Sequence, residues 1–301
     1  MDVWRYNTGN VEKIANILFE EPNREQLFPL FEKVFGITSQ TLHDFSEKGY
    51  WDNTFKAFSY LQDGNAIANV AVFSLPLLIN GKKINAAGIQ SVMTHPDFRR
   101  QGLMTQLLNK MLEEIDKQCE CAFLFTETPE LYKSFGFQVV QEYLMTIPYD
   151  IKNNKDSILR KLDFYNEEDR SLINEIIENS QRLSNMFSTI NYQSSFYLKM
   201  YDLKWNEKLY YSKKLDAIIV YEVENEKLKL YGVFAPVLPI LDELCEEISE
   251  SFTEIEFYFC PDQLGIDDVQ YTELQSSKYL MVRSNKELDF KGHKFPVLTE
   301  F

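Results

Sequence analysis

Hydrophobic spacing divides the chain into short periodic segments. Val11, Ile14, Ile17 and Leu18 recur at helical intervals, as do Leu27, Leu30, Phe31 and Val34, with Pro22 between the two groups. Gly36 stands where a helix C-cap is expected. The period then changes. Residues 57–61 lead into Asp63-Gly64, a hairpin signal, and a β-like run from Ile67 to Ile79 ends at a second one, Asn80-Gly81. A third strand is predicted from Ile84 to Met93, and an antiparallel meander is the economical arrangement. Between Gly102 and Lys117, Leu103, Leu107, Leu108, Met111, Leu112 and Ile115 share one helical face. Residues 121–125 form a short, wholly apolar strand of the kind buried in a sheet centre. Pro129 opens a short helix to Phe135, and residues 137–147 alternate as a strand.

The order α-α-β-β-β-α-β-α-β is that of an α+β fold. A polar stretch at 150–156 places a domain boundary there, dividing the chain into 1–149 and 150–301. The second half runs through a similar series. Helices are expected at 167–183 and 193–203, and strands at 208–212, 215–222 and 227–234. A helix at 237–251, a strand at 255–260 and more strand after Lys278 complete it. The echo points to a tandem duplication.

Composition narrows the functional classes. At 45% hydrophobic and 26% charged, the 301 residues are globular rather than disordered. No apolar run approaches the ~20 residues of a membrane helix, and the first residues lack a signal-peptide pattern, so a soluble cytoplasmic protein is expected. The net charge of −15 disfavours nucleic acid and anionic membrane and attracts cations. Cys119, Cys121, Cys245 and Cys260, with His43, His95 and His293, show no metal-ligand spacing, and no metal is assigned. Oligomeric state is left open, a homo-oligomer included.

The chemistry concentrates in residues 89–105, IQSVMTHPDFRRQGLMT. A strand ends near Met93, Pro96 breaks it, and Arg99-Arg100-Gln101-Gly102 enters a helix at Leu103. Helix N-termini carry unpaired amides and the positive end of the macrodipole, so a pyrophosphate can settle there. Glycine allows close backbone approach, and arginines add charge-assisted hydrogen bonds. By spacing alone, a tight strand-to-helix turn with two surface arginines is an equal alternative.

The string V-M-T-H-P-D-F-R-R-Q-G-L-M resembles motif A of the GNAT acetyltransferase superfamily, with a core of [QR]-x-x-G-x-[GA] after a strand. Arg99 and Gly102 match the first and fourth positions, and Met104 departs from the small residue of the sixth. That departure, with A-A-G-I-Q-S-V upstream, is similar to the Eis-like (enhanced intracellular survival) branch, where R-R-x-G-L-[LM] is usual. The resemblance covers residues 1 to about 148 and implies two tandem GNAT-like (acyl-CoA N-acyltransferase) domains, with mixed sheets flanked by helices. It also implies that the acetyl-CoA arm pairs with backbone at Val92, Met93 and Thr94. Arg99 would then belong to the cofactor site, and Arg100, Gln101, Gly102, Leu103, Met104 and Thr105 would cradle the pyrophosphate.

Two further segments carry the resemblance. E-L-Y-K-S-F-G-F at 130–137 is similar to the family's Y-x-x-F-G-[FY], which makes Tyr132 the expected general acid for the departing thiolate. A phenol of pKa ~10 is protonated at neutral pH. Without that motif, Tyr132 is one of 17 tyrosines and simply packs. Thr126 and Glu127, ending the preceding strand, are placed to line the acetyl site. The chain closes on F-P-V-L-T-E-F. Termini are usually polar and frayed, so an apolar one suggests a docked tail. In Eis-like enzymes an aromatic last residue brings its carboxylate to the active site as base, a role that falls on Phe301 here. A plain edge strand is the alternative. Eis-like chains usually carry a third, sterol-carrier-like domain before that tail, for which this length leaves no room.

The second half has no rival motif. G-V-F-A-P-V-L-P-I-L-D-E-L stands in the corresponding place, where Pro236 and Pro239 stiffen the turn and Asp242 and Glu243 repel phosphate. The expected activity is therefore transfer of acetyl from acetyl-CoA to a primary amine at one site per chain. Attack is direct, since no cysteine stands in either motif. A small cationic amine fits the charge: an aminoglycoside, a polyamine or a peptide amine. The rival readings are a catalytically silent acetyl-CoA sensor or scaffold, and aminoacyl transfer from tRNA, which the charge opposes.

Overall fold

The computed structural model describes residues 18–149 and 159–301. Most of the helix expected on Val11, Ile14, Ile17 and Leu18, and the polar boundary stretch, lie outside the described residues. Leu18 itself opens a strand, β1 (Leu18–Glu20), rather than closing a helix. Helix α1 (Phe28–Phe35) ends on Gly36, whose φ of 71° lets its N–H reach the Glu32 carbonyl as a C-cap. Helix α2 (Ser39–Glu47) follows. Strands β2 (Lys56–Gln62) and β3 (Asn65–Ser74) form the expected hairpin at Asp63-Gly64, and β4 (Leu77–Ile79) and β5 (Lys82–Ile84) the one at Asn80-Gly81. Strand β6 (Ala86–Thr94) returns along β3, so the expected antiparallel meander is β2-β3-β6, with β4 and β5 as an excursion.

Helix α3 (Leu103–Gln118) buries the expected face, Leu103 through Ile115, against β2, β3 and β6. Then come β7 (Cys121–Thr126) and the single-turn α4 (Glu130–Lys133). The strand expected over 137–147 is two strands, β8 (Gln138–Val139) and β9 (Tyr143–Pro148), and they belong to different sheets.

After β10 (Arg160–Lys161), the second half gives α5 (Glu167–Asn179), β11 (Phe187–Thr189), α6 (Ser194–Met200) and α7 (Leu203–Asn206). Strands β12 (Leu209–Ser212), β13 (Ala217–Glu224) and β14 (Lys227–Phe234) follow. Helix α8 spans only Leu241–Glu246, not the whole of 237–251. Strands β15 (Glu254–Phe257), β16 (Gln270–Glu273) and β17 (Tyr279–Ser284) end the series. Strands β10, β11 and β16 have no counterpart in the sequence reading.

Two seven-stranded mixed sheets result, β1-β2-β3-β6-β7-β17-β8 and β10-β12-β13-β14-β15-β9-β16. They trade strands across the expected division at residue 150. Strand β17 enters the first sheet between β7 and β8, and β9 enters the second beside β15. A third sheet, β11-β4-β5, ties the halves together. All three apolar clusters mix side chains of both halves: Phe73 and Phe123 share one with Phe187, Leu230 and Phe295, and Met281 of β17 packs in the cluster under α3. The chain is α+β, with helices flanking mixed sheets, as expected. Among the described residues, no helix is long and apolar enough to cross a membrane.

Candidate functional site

The site begins as a fork in the first sheet. Strands β6 and β7 pair in parallel only over Ala86–Ile89 and Cys121–Leu124. Beyond Ile89 a β-bulge shifts the β6 register against β3, and Ser91 takes a left-handed φ of 53°. Such a bulge bends a strand and re-aims it. A buried pair holds it. The Asn69 side-chain amide donates to the Ser91 carbonyl at 2.7 Å, and the Ser59 hydroxyl donates to Asn69 Oδ1 at 2.7 Å. The backbone of β6 from Gln90 to Thr94 is thereby left without a parallel strand partner, the edge to which an extended ligand arm can pair.

The chain then makes a nest. A 3₁₀ turn over Pro96–Phe98 is followed by Arg99 in extended conformation, its Nε donating to the Thr94 carbonyl at 3.3 Å. Arg100 has φ 63° and Gly102 φ 75°. Left-handed residues interleaved with others turn successive N–H groups toward a common centre, which suits an anion. Gly102 is also the N-cap of α3 and offers no capping side chain, so the first-turn amides stay free for a ligand. The sixteen-residue α3 adds its dipole.

Fork and nest open into one cavity of about 1050 Å³, at the upper end of the ~300–1,000 Å³ usual for ligand pockets. Of the expected cofactor residues, Val92, Thr94, Arg99, Arg100, Gln101, Gly102, Leu103, Met104, Thr105, Thr126 and Glu127 all line it. Met93 does not: its side chain is buried in the adjoining apolar cluster, because alternation along β6 turns it to the opposite face. Only its backbone could serve a ligand.

Tyr132 and Phe301, the two expected catalytic residues, line the same cavity although 169 positions separate them in the numbering. Tyr132 is nearly buried, and loss of hydration raises its phenol to about 12. It is thus a firmly protonated hydroxyl at neutral pH. The Phe301 ring is caged edge-on by Phe73 at 5.0 Å, Phe125 at 5.5 Å, Phe295 at 6.0 Å and Tyr192 at 6.2 Å. Gly88 makes room for that cage. A β-carbon there would stand 2.2 Å from the Phe73 ring. The tail is therefore docked, and Val297–Thr299 form a 3₁₀ turn rather than an edge strand.

Sequence reasoning missed other lining residues. Phe31, Val34, Phe35 and Ile37 come from α1 and the turn after it, Leu198 from α6, and Lys278 from the approach to β17. Lys278 lies 4.8 Å over the Phe125 ring. No local pattern marks it, since it reaches the cavity only because β17 pairs antiparallel with β7, setting Tyr279 opposite Thr126. Among the described residues, no group of His, Cys, Asp and Glu could hold a metal, and the four cysteines are free thiols.

Comparison with known proteins agrees with this geometry. No curated protein matches the chain in sequence. Among solved structures, a probable N-acyltransferase from Enterococcus faecalis V583 superposes with a TM-score of 0.55 at 14% identity, over 90% of this chain and 73% of that one. Eis1 from Mycobacterium abscessus superposes with a TM-score of 0.56 at 14% identity, over 90% and 74%. A GCN5-related N-acetyltransferase from Anabaena variabilis gives 0.50 at 14%, over 89% and 73%. At such identities these similarities establish the fold, across both halves. The sequence profile of the acetyltransferase (GNAT) domain matches residues 18–140, which include the fork, the nest and Tyr132, and this chain carries a GNAT acetyltransferase domain there.

Proposed function

We propose that the protein transfers the acetyl group of acetyl-CoA to a small cationic primary amine by direct attack. The observation that carries this reading is convergence: an anion nest, an unpaired strand edge, a protonated phenol and the chain's C-terminal residue all meet in one cavity. The residues present fit acetyl-CoA. The amides of Gln101 through Thr105 with Arg100 suit its pyrophosphate, and the edge at Val92, Met93 and Thr94 suits its pantetheine amides. When bound, acetyl-CoA supplies an activated thioester. The carboxylate of Phe301 takes a proton from the incoming ammonium, and the amine nitrogen bonds to the acyl carbon. As the carbon–sulfur bond breaks, the Tyr132 hydroxyl gives its proton to the departing sulfur, and the phenolate regains one from the new amide nitrogen, which sheds its second proton. Residues 1–149 carry the acetyl-CoA site in this reading, and residues 150–301 wall the acceptor side and deliver the tail. The net charge of −15 favours aminoglycosides, polyamines or peptide amines as acceptors, in the cytoplasm where acetyl-CoA is at hand.

The test is CoA release across a panel of such amines, alongside calorimetric titration with acetyl-CoA. Turnover with at least one amine is expected. Tight acetyl-CoA binding without turnover of any amine would make the protein a sensor instead.

A further inference from the structure

The second half contains the same fork, and it is filled. Strands β14 and β15 pair in parallel over Lys227–Leu230 and Glu254–Phe257, as β6 and β7 do over Ala86–Ile89 and Cys121–Leu124. In both halves the pairing is followed by a bulge on the central strand, here where Val220 faces Gly232 and Tyr221 faces Leu230. Past Leu230, the Tyr258 N–H still donates to the Leu230 carbonyl at 3.0 Å, and the strands then diverge.

Into that gap goes the C-terminal segment. The Val297 N–H donates to the Tyr258 carbonyl at 3.0 Å. Leu298, almost wholly buried, lies on Gly232, with Cδ1 2.6 Å from where a β-carbon of Gly232 would stand. Any side chain at 232 would push Leu298 away.

A second tie grips the same segment. Lys294 is buried, and its Nζ donates to Glu142 Oε1 at 3.0 Å, Glu300 Oε1 at 3.1 Å and the Phe295 carbonyl at 3.0 Å. The Phe295 N–H donates to the same Glu142 oxygen at 2.9 Å. Burial works against the ammonium, but the two carboxylates outweigh it and hold Lys294 above its ordinary pKa. A desolvated charge with three hydrogen bonds allows its partners little freedom. Glu300 is thus fixed one residue before Phe301.

We infer that the second fork is a seat for the chain's own C-terminal segment, and that Leu298 and Lys294 are positioning residues setting Phe301 in the acyl-transfer cavity. The fork that admits acetyl-CoA in the first half holds protein in the second. Each extended residue spans about 3.3 Å, so a slip of one residue in this seat carries Phe301 out of reach of the acyl carbon. The catalytic consequence rests on the proposed function; the seat does not.

Carboxypeptidase A, which removes aromatic C-terminal residues, reads the seat without any acetyl transfer. Phe301 should be released at least ~10-fold more slowly from the folded protein than from a synthetic peptide of residues 293–301, since a docked segment must open first. Leu298→Ala and Lys294→Met should raise release toward the peptide rate. They should also lower single-turnover acetyl transfer by roughly 10-fold or more, with acetyl-CoA affinity within about 2-fold of wild type. Lys294→Arg, which keeps the charge, should recover most of the rate. Loss of rate without loss of acetyl-CoA affinity is not what general destabilisation produces. Release from wild type as fast as from the peptide overturns the seat, and so do two variants with wild-type release. Should Lys294→Met not fold, the peptide comparison and Leu298→Ala decide. If removing Phe301 leaves turnover intact while these protection differences hold, the seat stands and the base assignment falls.

Discussion

The side chain of Asn69, wholly buried in β3, donates to the carbonyl of Ser91 in β6 at 2.7 Å, at the point where β6 parts from β7. That bond supports a left-handed, non-glycine residue and hence the bulge at which the fork opens. Non-glycine residues in such conformations persist only where surrounding structure holds them. We expect Asn69→Leu to lower stability by about 1–3 kcal/mol, because the Ser91 carbonyl and the Ser59 hydroxyl lose their buried partner. Acetyl-CoA affinity should fall too, as the edge at Val92 to Thr94 is no longer held. Urea unfolding and calorimetric titration check both, and an unchanged affinity would show that the bulge does not shape the site.

The nest makes the most direct claim on the cofactor. Gly102→Glu should abolish acetyl-CoA binding in a folded protein, because a carboxylate would occupy the pyrophosphate position. Gly102→Ala is milder. It places a β-carbon on a residue with φ 75°, at a cost of roughly 1–2 kcal/mol, while nothing sits closer than 3.9 Å. Arg100→Ala should weaken binding by a few-fold to tens-fold, in line with ~1.5–3 kcal/mol for a bond to a charged group. Titration of all three ranks them, and equal affinities would dissolve the assignment.

Tyr132→Phe should leave acetyl-CoA affinity near wild type and lower single-turnover rates by roughly 10² to 10⁴-fold. The pH dependence follows from burial. The donating form is the neutral phenol, and its pKa is pushed up to about 12, so its proton is kept well above pH 10. With an acceptor amine of ordinary pKa, the single-turnover rate should therefore show no fall assignable to Tyr132 below about pH 11. A falling limb near pH 9 that vanishes in Tyr132→Phe would contradict the packing around this ring.

The tail supplies the remaining test of chemistry. Appending a short Gly-Ser extension should sharply reduce turnover while the melting temperature and acetyl-CoA affinity hold. Deleting Phe301 should reduce turnover as sharply and also lower the melting temperature, because its ring leaves the cage of Phe73, Phe125, Tyr192 and Phe295. A C-terminal affinity tag should behave like the extension, and an N-terminal tag should not. If the extended protein turns over its amine at the wild-type rate, Phe301 only packs. Glu127, exposed in the same cavity, becomes the next candidate base.

What the sequence determined by itself is what is contiguous along it. The helix start at Leu103 follows from Gly102 and the apolar spacing of α3, and the arginine-glycine turn before it is one local stretch. The acid segment around Tyr132 is equally local. Hairpin residues and periodicity set the order of the longer elements in both halves, since each depends on neighbours two to four positions away, whereas the short strands β1, β10, β11 and β16 carry too few positions to show a period. Tertiary structure alone decided which sheet each strand entered. The alternation over 137–147 is satisfied in either sheet, so nothing in it says that β8 joins the first and β9 the second, or that β17 crosses into the first. Those pairings bring Lys278 to the cavity and Leu298 onto Gly232, contacts between residues distant in the chain that no local period encodes. The apolar last residues signalled burial; only the fold, by diverging β14 from β15, provided the place.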